Sequence, residues 1–338
     1  MKRLFTFLVG IIAVGTTSLM AQEEPETKID YIPEISLDAR FEYSHDIIGN
    51  AGRFDGNGLN LDINGQICPN VSYSLNHSIA KVDGANELGF GNTNWLTLTY
   101  ENDYLFVTAG KEDIKVGSFE YDTYDFDSYW EMNSLFWNCF SPWQWGISAG
   151  WYPTEGQTLL LQFANSPFSE KIFNQFSYAL AWRGEWKHYE SYWSVNMWQF
   201  EKGRYVKSLN LGNRFHFGDF SFDLEYATRT VEMKKAFTSD FTLQFSPSYE
   251  WEWGRAFAKV GWERVTEDNI GYEFNGNNIF YGAGAEFYPF KNYRDVRLHA
   301  IWASNTELTA THYINVGLTW KMDLTSLGKK LFNKLKKE

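Results

Sequence analysis

Tyr104 to Tyr152 reads YLFVTAGKEDIKVGSFEYDTYDFDSYWEMNSLFWNCFSPWQWGISAGWY. Its two ends alternate apolar and polar residues, over Tyr104–Lys111 and Trp143–Tyr152, and read as β-strands. The middle, Glu112 to Pro142, keeps no period. It is rich in acids (Glu112, Asp113, Glu120, Asp122, Asp125, Asp127, Glu131) and in aromatics such as Phe119, Tyr129, Trp130 and Phe136. A structureless connection of this length inside a compact domain is functional or marks a wrong assignment. The rest of the chain decides between these.

Outward from this stretch the period is two almost everywhere. Ile35, Leu37, Ala39, Phe41 and Tyr43 alternate with Glu34, Ser36, Asp38, Arg40 and Glu42. Val71, Tyr73, Leu75, His77 and Ile79 alternate with Ser and Asn. Similar runs follow to Ile314, Val316, Leu318, Trp320 and Met322, with a weaker one near Tyr189–Phe200. The total is about 16 segments, each near the ~9–11 residues a tilted strand needs to cross a bilayer. The polar series is often small, as in Ser72, Ser74, Asn76, Ser208, Asn210, Thr242 and Gln244.

The connections alternate in length. One set is short: Cys68–Asn70, Glu101–Asp103, Pro153–Gly156, Gly184–His188, Gly218-Asp219, Trp251–Gly254 and Phe290–Arg294. The other set is longer: His45–Gly58, Lys81–Asn92, Glu112–Pro142, Asn165–Asn174, Thr230–Asp240, Thr266–Asn278 and Ser304–Thr311, with a short exception near Glu201–Arg204. Short turns at one end and long loops at the other are the plan of outer-membrane barrels. The expected fold is therefore all-β: a transmembrane antiparallel β-barrel of about 16 strands. Glu112–Pro142 becomes its third extracellular loop, folded into the lumen. A barrel of this size encloses a channel rather than a packed core.

Composition agrees. Residues 1–21 form a secretory signal, with Lys2 and Arg3 ahead of an apolar Leu4–Val14 and a cut expected after Ala21. Residues 22–32 are a periplasmic segment, 33–323 the barrel and 324–338 a basic tail. Aromatic residues make up 19% of the chain, 15 of them Trp, as interfacial girdles require. The net charge of −12, about −14 once Lys2 and Arg3 are removed, argues against nucleic acid as a partner. Cys68 and Cys139 fall too far apart to bridge. No metal-ligand spacing, cofactor or catalytic constellation stands out. His77 and His312 fall on outward series, His216 and His299 on inward ones, and His45 and His188 in connections. None has a Ser or Asp partner at a usable spacing, so no enzyme is expected.

The chain resembles the phosphate-selective porin O and P family of outer-membrane porins. The carrying residues are Gly52-Arg53-Phe54, Leu61-Asp62-Ile63-Asn64-Gly65-Gln66 into Asn70-Val71-Ser72-Tyr73-Ser74, Phe106 to Lys111, and Leu159 to Pro167. The similarity covers roughly residues 33–170 and is diffuse beyond. It implies a channel in the outer membrane of a Gram-negative bacterium, in contact with lipid and surface lipopolysaccharide, assembled as a homotrimer and passing phosphate.

The residues depart from that family where selectivity is set. The long loop holds Glu112, Asp113, Glu120, Asp122, Asp125, Asp127 and Glu131 against Lys115 alone. Inward basic candidates are Arg40, Arg183, Arg214, Arg229 and Arg297, interleaved with Asp38, Glu42, Asp223, Glu225 and Glu263. Anion-selective pores use rings of Arg or Lys and cation-selective ones rings of Asp or Glu. The expectation is a weakly selective pore for small hydrophilic solutes or ions. Two readings stand beside it: a plugged barrel with a structural or surface-binding role, and a secreted glycan-binding β-protein. The loop acids could alternatively face outward and bind divalent cations. In the tail, Leu327, Leu331, Phe332 and Leu335 share one helical face with five Lys elsewhere, the pattern of an interfacial helix.

Overall fold

The computed structural model describes residues 32–79, 91–123, 125–137, 139, 141–168, 174–231, 240–266, 275–290, 293–306 and 312–335. The signal segment 1–21, nearly all of 22–32 and most of the connection 81–92 lie outside them. Sixteen strands follow one another: β1 (Glu34–Asp46), β2 (Ala51–Cys68), β3 (Val71–Ser78), β4 (Thr93–Glu101), β5 (Leu105–Asp113), β6 (Trp143–Trp151), β7 (Gln157–Asn165) and β8 (Phe176–Trp186). The second half is β9 (Tyr189–Glu201), β10 (Arg204–Phe217), β11 (Phe220–Thr228), β12 (Phe241–Trp251), β13 (Gly254–Val265), β14 (Gly276–Phe287), β15 (Val296–Asn305) and β16 (His312–Asp323).

Each strand pairs antiparallel with its neighbours in sequence, and β16 returns to β1, closing the barrel. The closing seam runs from Ser36↔Asp323 to Asp46↔Tyr313. Closure leaves no row of unpaired backbone groups, which a lipid environment would penalise by several kcal/mol per group.

The faces are inverted relative to a water-soluble protein. Leu161, Phe163, Leu180, Val195, Met197, Phe245, Val260, Trp262, Leu298 and Val316 are exposed on the outside. The residues between them, including Gln162, Asn196, Gln244, Glu263, His299 and Asn315, are buried inside. Two aromatic belts ring this outer surface. Near the short turns, the ring pairs Tyr189–Phe215, Phe215–Phe222 and Phe222–Phe245 follow one another at 5.0, 4.9 and 5.4 Å. Near the long loops, Phe163–Phe176, Phe241–Trp262 and Tyr281–Trp302 form the other belt. No helix among the described residues is long and apolar enough to cross a membrane, which says nothing of crossing by strands.

Three expectations need correction. The first long connection does not exist: β1 and β2 run on as paired strands to a tight turn at 47–50, so His45 and Gly52-Arg53-Phe54 are strand residues. Glu112 and Asp113 belong to the end of β5, paired with Gln144 and Trp143, so the loop proper is 114–142. Arg229 lies just past β11, at the loop-end rim. The short exception between β9 and β10 is as expected, and Cys68 and Cys139 are thiols not joined by a disulfide.

After Asp323 the chain turns into helix α1 (Leu324–Leu335). Asp323 caps it, accepting from Ser326 N–H at 2.8 Å and from Ser326 Oγ. Thr325 Oγ1 accepts from Ile35 N–H and donates to the Pro33 carbonyl, tying α1 to the start of β1.

Candidate functional site

The loop 114–142 enters the lumen because its apolar side chains find apolar patches there. Ile114, Val116 and Phe136 bury against Trp198, Val206 and Ala227, inward-facing residues of β9, β10 and β11. Phe119 packs with Tyr192 and Ala181. Tyr129 and Met132 pack on Ile301 and Ala303 of β15, and the Tyr129 ring stacks on Phe257 at 5.3 Å. Gly117 passes so close to β9 that a Cβ would lie 2.4 Å from the Ser194 nitrogen.

Polar contacts then fix the loop backbone to the wall, with the two charge types doing opposite jobs. Wall arginines hold loop carbonyls. Arg40 donates to the Ser128 carbonyl at 2.8 Å and also to the Phe126 carbonyl, which Arg297 shares. Wall carboxylates hold loop N–H groups. Glu225 accepts from the Glu120 N–H at 3.0 Å, and Glu263 from those of Leu135 and Phe136 at 3.1 and 3.3 Å. Glu120 itself accepts from the Ser134 N–H and from Lys259 Nζ, both at 2.9 Å. Tyr129 donates to Glu286 at 2.8 Å, which also receives Arg255. Near the loop start, Gln162 exchanges bonds with Lys115 N–H and the Asp113 carbonyl, and Asn196 donates to the Lys115 carbonyl.

The sequence-predicted residues therefore divide clearly. Arg40 and Arg297 meet the loop centre, Arg297 also pairing with Asp127. Arg183 pairs with Asp122 at 3.0 Å, Arg214 with Asp223 at 2.7 Å and Arg229 with Asp240 at 3.5 Å. Lys115 pairs with Asp113 at 2.7 Å and Glu112 at 3.5 Å. Glu131 accepts a long bond from Asn315 at 3.5 Å. The Asp125 side chain lies outside the described residues. The reading in which the loop acids face outward for divalent cations fails for Glu120, which is buried against the wall. Among the described residues no group of three or more His, Cys, Asp or Glu could hold a metal ion.

Sequence reasoning missed Lys259, Arg255 and Glu286, and the apolar inward set Trp198, Val206, Ile301 and Ala303. A signal existed for the latter: apolar residues standing on the polar series of their own strands. It also missed that His216 meets a carboxylate, Glu190, at 2.7 Å.

Two cavities flank the loop. One, of about 300 Å³ toward the short turns, is lined by Arg214, His216, Asp223, Glu225, Arg255 and Lys259 among others. The other, of about 120 Å³ toward the long loops, is lined by Trp130, Glu131, Asn278, Ser304 and Tyr313 among others. Asn133 lines both.

No family model matches the sequence, and no curated protein matches it. Solved structures do match in fold. OmpT of Vibrio cholerae, an outer membrane protein in its trimer form, aligns with a TM-score of 0.62 at 10% identity, over 86% of this chain and 99% of that one. The outer membrane channel DcaP of Acinetobacter baumannii gives 0.64 at 9%, over 86% and 97%. A mutant of the Rh. blastica porin gives 0.58 at 12%, over 86% and all of that chain. The fold is that of outer-membrane β-barrel porins.

Proposed function

We propose that the protein is an outer-membrane channel for the passive diffusion of small hydrophilic solutes, with loop 114–142 as its constriction. The observation that carries this reading is the inverted barrel, apolar and aromatic outside, polar inside, with loop 114–142 packed against its inner wall and two cavities beside the loop that Asn133 lines in common. Outward apolar strands ask for lipid, a polar lumen asks for water, and the pair describes a pore. Short turns and both described chain ends then face the periplasm, the long loops and surface lipopolysaccharide the outside. A homotrimer is part of the proposal, in keeping with the trimer form of the Vibrio protein.

The charge pairing supports weak ion selectivity. Each of the five inward or rim arginines already contacts a carboxylate or a loop carbonyl, so among the described residues these five form no open cationic ring for phosphate. The test is planar-bilayer conductance of the detergent-purified protein in a KCl gradient. Stable steps with a small reversal potential are expected. A strongly anion-selective potential would restore phosphate. Silence of well-folded protein would favour a second reading, a plugged barrel with a structural or surface-binding role. The observation in favour of that reading is how many strands hold the loop: β1, β7, β9, β11, β13, β14 and β15 all bond to it.

A further inference from the structure

Helix α1 leaves the barrel at its short-turn end, directly behind a lipid-facing row. In β16, Ile314, Val316 and Trp320 are exposed on the outer surface. Trp320 stands close to Asp323, where the strand ends and the helix takes over. The bonds from Thr325 to the Ile35 N–H and the Pro33 carbonyl hold the first turn beside the start of β1, at the rim. Ile32, just ahead of β1, and Ile67, at the end of β2, are exposed at the same rim.

The helix is patterned for a boundary. At helical spacing, Leu324, Leu327, Leu331 and Leu335 fall in one stripe. Lys329, Lys330 and Lys334 lie off it, Lys336 and Lys337 follow, and no Asp or Glu occurs from Leu324 to Lys337. Leu327, on the stripe, is 45% exposed, so the barrel does not cover it. The 12 residues of α1 make a helix too short to persist alone in water or to span a bilayer. Cations near a helix C-terminus suit its dipole, but the dipole gives no reason for the leucines. An exposed leucine stripe asks for an apolar cover, and the nearest apolar medium is the lipid that the outer face of β16 meets. Lysines without acids ask for an anionic surface.

We propose that α1 is a membrane-docking element. It lies in the headgroup region of the leaflet at the short-turn end, its leucine stripe toward the acyl chains and its lysines against anionic phospholipid. The proposal rests on the barrel sitting in a bilayer and is independent of whether the barrel conducts. Attached to the closing strand β16, the docked helix sets the depth of that rim and makes anionic lipid a ligand of the barrel.

Amide hydrogen exchange, read by mass spectrometry on the full-length protein in lipid nanodiscs, tests this. One set of discs is phosphatidylcholine alone; the other is one-third phosphatidylglycerol. Strand peptides should be equally protected in both, which shows the barrel folded. Exchange across Leu324–Leu335 should be slower in the anionic discs by at least about tenfold, since each lysine near such a surface is worth about fivefold. High salt should remove most of that gain. Changing Lys329, Lys330 and Lys334 together to Gln should abolish the difference between the lipids, and Leu327→Ser should lose most of the protection in the anionic discs. Fast exchange in both lipids would make α1 a frayed tail and overturn the proposal. Equally slow exchange in both would mean that protein covers the helix, and would overturn it too. So would a lipid difference that survives the lysine changes. Conductance of the same samples tests the channel separately: a silent barrel with a lipid-protected helix keeps the docking and removes the pore.

Discussion

The tip of the β1–β2 hairpin and the loop 114–142 leave the same rim of the barrel for opposite environments. At the tip, Phe54 is 87% exposed, and Arg53 pairs with Asp55 at 2.7 Å in open solvent. In the loop, Phe119 is 2% exposed and Ser134 is fully buried. Both regions carry charge and aromatic residues. In water such a pair contributes almost nothing, because screening and side-chain entropy cancel it. Inside the lumen, with solvent removed, each charged group must find a partner, and the backbone of the loop supplies one. The same residue types are decoration at one end of this comparison and fastening at the other.

The largest effect is expected at Glu263. Replacing it with Leu orphans the Leu135 and Phe136 N–H groups at a cost of about 1–3 kcal/mol each. The loop should unseat within an intact barrel, conductance should rise, and trypsin should cut at Lys115, the loop's one basic residue. An uncut loop would mean that its apolar contacts suffice. Next is Gly117→Val, whose side chain would meet the backbone of Trp193 and Ser194 and disfavour the seated loop by about 1–3 kcal/mol. Its counterpart at the tip, Gly56→Ala, meets nothing within 4 Å and should stay within about 0.5 kcal/mol of wild type. Equal loss in both, read by denaturant melting, would erase the distinction between the regions. Tyr129→Phe keeps the stack on Phe257 and loses one charge-assisted bond to Glu286, so about 1–2 kcal/mol is expected in the same melt. The smallest effect belongs to Arg53→Ala, below about 0.5 kcal/mol and vanishing in high salt.

The same contrast explains what the sequence could reveal. Alternation marks a strand only where one face meets lipid and the other water or polar wall. Residues 51–56 lose it because they are mostly exposed on both faces, so a paired strand looked like a long loop. The loop 114–142 loses it because it is covered on several sides. The segment Tyr189–Phe200 reads weakly for a third reason: inward Tyr192 and Trp198 pack against the loop's Phe119 and Phe136, so both its faces are aromatic. The strand count and the barrel's polarity were legible because most strands obey the simple rule. Arg40, Arg183, Arg214 and Arg297 share the phase of the inward residues of their strands, whereas Arg229, just past β11, does not sit on a strand. Their partners were not legible, because a loop of irregular backbone brings its carbonyls and N–H groups to the wall at spacings no period describes.

Among the strand pairs, the seam between β1 and β16 stands apart in the length of chain it spans. Every other pair joins neighbours in the chain and can form as a local hairpin. The seam unites Ser36 with Asp323 and Asp46 with Tyr313, the most distant partners in the barrel. Until it shuts, the sheet is an open ribbon with a raw edge along β1 and another along β16, each a template for any other strand. Long-range closure is also the slow step in a chain built from local contacts. The seam is thus a clasp: shutting it removes both raw edges at once, and a weakened β16 is expected to give open, aggregating ribbons rather than a slightly less stable barrel.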